Sequence, residues 1–356
     1  MFFINENNTH INSGYDSTVL SESYIHNLSP FVIQITETIG LRWYGLAYLL
    51  GFLIAWKTLC FLSNKKISHL SQQQASDFIF SCVLGVIVGG RLGFALFYDQ
   101  KLFYSFSNEF PWWELLFIHK GGMSSHGGML GVFFTILWFG KKNKTQIPHL
   151  MDLGSIVVTP GLFLGRVANF INAELWGEPL GDALQKTPPW WSVKYPTEIS
   201  DVWLQNPQVF ALKIEKLEPL RSTVFGDASF YQNVIKEVQS GGQKATEVVT
   251  PLLTAWHPSQ LYQAILNGPV LLFLLCLVWW SPKKPGVVSG WFLIFYGTFR
   301  FLTEFFRQPD VGVSLLLSFS RGQVLSVAMV ILGVVFTTVS TKQPTLKIGG
   351  IKNIFK

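Results

Sequence analysis

Seven apolar runs, each long enough to reach across a bilayer and each parted from the next by a polar or basic stretch, constrain this chain more than any other feature. They cover about residues 41–62, 77–99, 123–140, 150–172, 259–280, 287–306 and 322–340. A hydrocarbon core of about 30 Å takes about 20 helical residues. It offers no water to the backbone, so each run must satisfy its own N–H and C=O groups as a helix. Composition points the same way: 49% of residues are hydrophobic, only 13% are charged, and the mean hydropathy is +0.33. That is about half the charge of a soluble domain. The expected fold class is an all-α polytopic membrane protein of about seven transmembrane helices. Gly85, Gly89, Gly90 and Gly93 favour close helix–helix approach over a lone anchor.

Lysine placement predicts the orientation. Alternate connections hold Lys65 and Lys66, then Lys141, Lys142 and Lys144, then Lys283 and Lys284, and the tail adds Lys342, Lys347, Lys352 and Lys356. Residues 1–40 contain no lysine or arginine, and the 100–122 connection has only Lys101 and Lys120. The positive-inside rule then places the N-terminus outside and the C-terminus inside. The basic pI, about 9.1, follows from these lysines and calls for no nucleic-acid partner. Met1–His10 has no basic n-region ahead of an apolar core, so the first span is expected to insert as an uncleaved anchor.

Five regions follow. Residues 1–40 read as a polar extracytoplasmic tail ending in an amphipathic stretch near Phe31–Ile39, and 41–177 as the membrane core of spans one to four. Residues 178–256 are too polar to span and form an extracytoplasmic insertion or small head region. In it Leu212–Gln239 has scattered helical periodicity. Residues 257–340 complete the core, and 341–356 form a basic cytoplasmic tail. Cys60, Cys82 and Cys276 lie in or beside spans without CxxC spacing. They read as small buried hydrophobes, with no disulfide framework and no metal site.

The polar residues inside the spans carry the chemistry. Gly165–Gly177 (GRVANFINAELWG) closes the fourth run with an arginine, two asparagines and a glutamate. An unpaired arginine at a helix centre costs about 2.5–3.5 kcal/mol even on the lenient insertion scale. On one continuous helix Arg166, Asn169, Phe170, Ala173 and Gly177 share a face that suits a phosphate or a carboxylate, with Glu174 toward the outer surface. Read alone, the segment is either an anion site or a buried polar network that fixes packing. A second span repeats the pattern. Tyr296, Arg300, Glu304 and Arg307 form one stripe, where Arg300 and Glu304 can also neutralise each other at i,i+4. Two arginines from separate spans near one leaflet can clamp a phosphodiester.

Glycine pairs frame His126 in GGMSSHGG, and an imidazole is the side chain best poised to take a proton near neutrality, although a lone histidine is more often structural. Three further strings are polar where a plain bundle would not be. Tyr44 lies in RWYG, where Trp43 and Tyr44 could also be interface aromatics. Arg91 in GGR is expected to be buried and to need a counter-charge or lipid head group. Ser259 in HPSQLY could cap a helix.

In this order, these strings resemble the prolipoprotein diacylglyceryl transferase family. The resemblance covers Leu41 to about Gly333, apart from most of 178–256. It rests on RWYG, GGR, GGMSSHGG, GRVANFINAELWG, HPSQLY, FRFLTEFFRQPD and Gly322-Gln323. It implies a multi-pass enzyme of the bacterial inner (cytoplasmic) membrane that moves the diacylglyceryl group of phosphatidylglycerol to the lipobox cysteine thiol of a prolipoprotein signal peptide. The products are a thioether and glycerol phosphate, with no metal or soluble cofactor. Carried over by position, His126 is the candidate base, Arg166 and Arg300 the phosphate clamp, and Tyr44 a catalytic phenol. Asn169, Glu174, Gly177, Tyr296 and Glu304 join the two arginines as lipid-binding positions.

Ala168 stands where the family usually has glycine, Gln263 follows HPSQLY where an acid is usual, and the insertion and N-terminal tail are long. These departures bear on substrate entry more than on chemistry. Two rival classes share the composition. A transporter or binding protein for an anionic lipid or metabolite would more often show repeated, interrupted halves, and a lipid-binding scaffold has no need of His126.

Overall fold

The computed structural model describes residues 23–34, 40–118, 121–221, 230–308 and 319–355. In chain order the elements are β1 (Tyr24–Ile25), β2 (Phe31–Gln34), β3 (Gly40–Arg42), α1 (Trp43–Asn64), α2 (Gln72–Phe97), α3 (Ser125–Lys142), α4 (Ile147–Val157) and α5 (Thr159–Ile171). There follow α6 (Asp182–Lys186), β4 (Val193–Lys194), α7 (Pro207–Ile214), α8 (Phe230–Gln239) and α9 (Gln243–Val249). The last four helices are α10 (Ser259–Ile265), α11 (Leu271–Val278), α12 (Val287–Glu304) and α13 (Arg321–Lys342). The chain divides into two compact units, one of Met1–Leu28 with Glu178–Pro258, the other of Ser29–Gly177 with Ser259–Lys356.

The second unit is a bundle with the solvent logic of a membrane protein. Four of its helical segments, Trp43–Asn64, Gln72–Phe97, Ser259–Val278 and Arg321–Lys342, are long and apolar enough to cross a bilayer. The bent pair α4–α5 makes a fifth if counted as one span. The helices α3 and α12, 18 residues each, follow two more of the apolar runs but stay below that measure because of their glycines and charges. Large apolar side chains such as Leu49, Phe80, Ile331 and Leu332 face outward, while small residues such as Ala47, Gly51 and Ala55 are buried. Such an inversion fits a lipid solvent, where packing of small residues rather than water exclusion joins helices.

The closest of these seams joins α2 to α3. Gly85, Gly89 and Gly93, one per turn, lie against Gly127 and Gly131, and a Cβ on Gly93 would stand 2.7 Å from Gly127 Cα. A second seam sets Gly290 and Gly297 of α12 against Gly333 and Ser326 of α13. At the far end of the bundle an apolar core gathers Leu59, Phe78, Phe139, Leu153 and Trp279. There Asp152 of α4 accepts from the Gly286 and Ser289 backbone N–H groups, both at 2.7 Å, and so caps α12, which has no side-chain cap of its own.

Two apolar runs depart from single straight helices. The 150–172 run bends by 40° at Val158, between α4 and α5, with Pro160 opening the second piece. The 259–280 run contains a π turn at Leu266–Val270 around Pro269. The tail is tied down as well: Trp279 Nε1 donates to Ile348 O at 3.2 Å, and Ile351 N to Trp279 O at 2.9 Å.

The other unit has its own core of Trp203, Leu217, Leu220, Val234 and Val249. Its α8 buries Phe230, Val234, Ile235 and Val238, one stripe of a helix. At its centre the buried Glu198 carboxylate accepts from Trp203 Nε1 (2.8 Å), Trp256 Nε1 (3.1 Å), Thr254 N (2.9 Å) and Lys213 Nζ (3.3 Å). Part of the expected N-terminal tail is ordered here, since Tyr24–Ile25 pairs in parallel with Val193–Lys194. The expected amphipathic stretch is a strand over Phe31–Gln34, paired antiparallel with Gly40–Arg42, and residues 35–39 lie outside the described residues, as do 1–22.

Replacing Gly131 by alanine would drive a Cβ into the Gly85 carbonyl oxygen. Overpacking of this kind costs about 1–3 kcal/mol. Gly131→Ala should therefore lower the thermal unfolding midpoint in detergent micelles, while Gly161→Ala, which meets nothing within 4 Å, should leave it in place.

Candidate active site

The fourth apolar run does not end as one continuous helix. α5 stops at Ile171, with Asn172 as its C-cap, and Ala173 and Leu175 take left-handed φ values of 52° and 56°. Ala173 and Gly177 therefore leave the face they would share with Arg166 and Asn169 on an unbroken helix. Left-handed backbone is uncommon for residues with a Cβ and persists where the surroundings over-determine it. The hook is held from three sides. Gln260 Nε2 donates to Glu174 O at 2.7 Å, and Ser259 Oγ to Leu175 O at 3.0 Å, so HPSQLY serves as a clasp on this turn. Trp176 Nε1 reaches back to Ala173 O at 2.6 Å. Gly177 pairs antiparallel with Arg307, which sits just past α12.

This hook brings four of the sequence-derived residues into one chain of hydrogen bonds. Arg166 donates to Asn169 Oδ1 at 3.5 Å, and Asn169 Nδ2 donates to the Tyr44 hydroxyl. Tyr44 in turn donates to Glu174 Oε2 at 2.9 Å. Tyr44 opens α1, so the RWYG string is a working partner of the hook rather than only an interface aromatic. Asn172 Nδ2 also reaches Glu174 Oε1, at 3.4 Å.

A second group forms on α12. Arg300 and Glu304 make the i,i+4 ion pair that their spacing allows, and Arg307 stands 3.9 Å from the same carboxylate. Ser320 Oγ donates to the other Glu304 oxygen at 2.8 Å, and Gly322 leaves room for the carboxylate beside α13. The Gly322-Gln323 string thus has a local reason, because Gln323 also closes a capping box with Ser320.

Arg166 lies within electrostatic reach of both arginines, and of Tyr44 and Tyr296. Among the described residues it forms no ion pair with a carboxylate. Three guanidinium groups from α5 and the end of α12 therefore lie within electrostatic reach of one another, and two of them, Arg300 and Arg307, share the carboxylate of Glu304. Mutual repulsion in an apolar bundle makes that arrangement favourable toward a bound anion, above all one that accepts forked hydrogen bonds. Arg307, which sequence reasoning placed on the stripe but gave no role, belongs to the group; its i,i+3 spacing from Glu304 was the available signal.

His126 stands apart from these contacts. It is exposed in the first turn of α3, whose N-cap Ser124 accepts from Gly127 N at 3.2 Å. The described residues include no hydrogen bond from His126 to Tyr44, Arg166 or Arg300. Arg91 needs neither a counter-charge nor a head group. Its guanidinium donates to the backbone carbonyls of Glu114, Leu115, Gly121 and Gly122 at 2.7–3.0 Å. Gln263, which follows HPSQLY, is buried, and its Oε1 finds no partner among the described residues.

A helical bundle that turns apolar residues outward and gathers guanidinium, phenol and amide groups within it has the build of a polytopic membrane protein. The prolipoprotein diacylglyceryl transferase family matches residues 30–339, and the chain belongs to that family. A phosphatidylglycerol–prolipoprotein diacylglyceryl transferase of Bdellovibrio bacteriovorus is 35% identical over 351 residues, covering 92% of this chain and 96% of its own. Proteins of the same name from Yersinia pestis and Yersinia pseudotuberculosis are each 34% identical over 332 residues, covering 92% of this chain and all of theirs.

Gln260→Leu would strip the Glu174 carbonyl of its buried donor, a loss of about 1–3 kcal/mol. The variant should melt earlier in micelles, and Ala173→Gly, which relieves the left-handed backbone, should melt no earlier than the parent.

Proposed function

We propose that this chain transfers the diacylglyceryl group of phosphatidylglycerol to the cysteine thiol of a lipobox in prolipoprotein signal peptides, the first step of bacterial lipoprotein maturation. Family membership and the names of the relatives support the reaction. The observation that carries the site is Arg166, which forms no ion pair with a carboxylate among the described residues, within electrostatic reach of Arg300 and Arg307, which share the Glu304 carboxylate.

In this reading Arg166 and Arg300 bind the phosphodiester of the lipid, and Asn169, Tyr296 and Tyr44 meet the head group and the reacting glycerol. Glu304 and Glu174 hold the arginine and phenol partners in place or take glycerol hydroxyls, and Gly177 allows close backbone approach. The thiol sulfur attacks a glycerol carbon, the carbon–oxygen bond to phosphate breaks, and glycerol phosphate leaves with the electron pair. The thiol proton passes to His126. A free thiol has a pKa of about 8.5, and an apolar site makes the thiolate still harder to form, so a base and nearby cations both help. Cations on the departing phosphate stabilise the charge that develops there. No metal or soluble cofactor enters this scheme.

The same reading sets the chain in the bacterial inner membrane with seven spans, N-terminus outside and C-terminus inside. The lysine-bearing connections then lie in the cytoplasm, and residues 178–256 form an extracytoplasmic head.

The test is direct. Purified protein incubated with phosphatidylglycerol and a lipobox-cysteine peptide should give the mass gain of a diacylglyceryl thioether. Arg166→Lys, which keeps charge but loses the fork, should lower kcat/KM on the order of 10²-fold, about 2.7 kcal/mol. His126→Gln should lose on the order of 10²–10⁴-fold. A near-normal rate would remove the base assignment. A folded, lipid-bound preparation that yields no thioether would leave the transporter or lipid-binding readings instead.

A further inference from the structure

The Arg91 guanidinium is committed to backbone acceptors. Four of its five N–H groups are used: Nε on Leu115 O (2.7 Å), Nη2 on Glu114 O (2.8 Å), and Nη1 on both Gly121 O (2.7 Å) and Gly122 O (3.0 Å). The side chain is buried on α2, with the Phe94 ring 6.0 Å from its Cζ. A buried arginine spent on carbonyl oxygens binds no phosphate, so its charge serves position.

What it positions is the segment entering α3. Gly121 and Gly122 hold φ values of +89° and +76°, and a Cβ on Gly122 would stand 2.7 Å from both Arg91 Nη1 and the Phe94 ring. Ser124 N then donates to Gly90 O at 2.9 Å, the residue before Arg91. One turn later Gly127 stacks on Gly89 and Gly93. The GGR string and the GGMSSHGG string thus form one rigid joint, with His126 between its last two fastenings. Bonds from one planar fork to residues 114–115 and to 121–122 tie two points of the connection to the same helix.

We infer that Arg91 is a positioning residue that sets where His126 stands for the incoming thiol. The inference rests on the reading of His126 as the base, and its structural half can be tested separately. A misplacement of about 1 Å can cost a catalytic group on the order of 10²-fold. Lysine at this position keeps the charge but cannot reach four carbonyls in one plane.

The experiment uses the full chain in lipid nanodiscs and compares Arg91→Lys, His126→Gln and the double variant. Arg91→Lys should retain a cooperative melt and KM for phosphatidylglycerol, and lose kcat on the order of 10²-fold. The double variant should be no slower than the slower single variant, since both changes act through one imidazole. Carbethoxylation of His126, followed by mass spectrometry, should shift in rate in Arg91→Lys while that of His257 does not. Should Arg91→Lys fail to fold, Gly122→Ala disturbs the same fastening from the other strand of the joint and should give the same loss in kcat alone. An unchanged His126 labelling rate in a folded variant overturns the inference, as do losses that multiply in the double variant. A near-normal rate for His126→Gln would overturn the base reading alone, and the labelling would still decide whether Arg91 places the imidazole.

Discussion

Guanidinium charge inside an apolar bundle is the constraint on which the rest of this structure depends. Arg91, Arg166, Arg300 and Arg307 lie within the bundle or at the end of one of its helices, and the fold treats them in two ways. Arg91 is solvated by carbonyl dipoles and spends its donors on the backbone. Arg300 and Arg307 share Glu304, and Arg166 has an amide and, among the described residues, no carboxylate. The first arrangement is complete in itself and builds a joint. The second is short of negative charge and suits an anion. Chemically identical side chains thus serve as structure or as site according to how many of their donors the backbone consumes.

The strings scattered through the sequence turn out to be fastenings of a few local devices. HPSQLY clasps the carbonyls of the left-handed hook after α5. RWYG supplies the phenol that links Asn169 to Glu174. Gly322 and Ser320 accommodate Glu304. GGR and GGMSSHGG form the Arg91 joint. Each device fixes a polar group in a medium that offers no water as a substitute partner, and a misplaced donor there has nowhere else to go. Small residues at the seams complete the scheme, because backbone can approach backbone only where side chains are absent.

Much of the fold was legible in advance because lipid imposes a one-dimensional signal. The seven apolar runs each have helical counterparts, and the i,i+4 relation of Arg300 and Glu304 appears as read. Interruptions were less visible. The bend at Val158 and the π turn at Pro269 leave the run apolar, so hydropathy passes over them. The hook escaped for a different reason. Ala173 and Leu175 are ordinary helix formers, and their left-handed φ values come from the donors of α10 and the pairing with Arg307, which are distant in sequence.

The sequence by itself determined the solvent, the helical class and the family, because those follow from hydropathy, lysine distribution and short strings that any reading frame of the chain displays. Only the tertiary structure decided the partners: that Arg91 is satisfied by carbonyls and Arg166 is not, that Tyr44 bridges Asn169 and Glu174, and that Ser259 holds a turn instead of capping its own helix. The physical reason is range. Solvent preference is a property of each residue and adds along the chain, whereas satisfaction of a buried polar group depends on a donor and an acceptor brought together from distant segments, 130 residues apart for Tyr44 and Glu174.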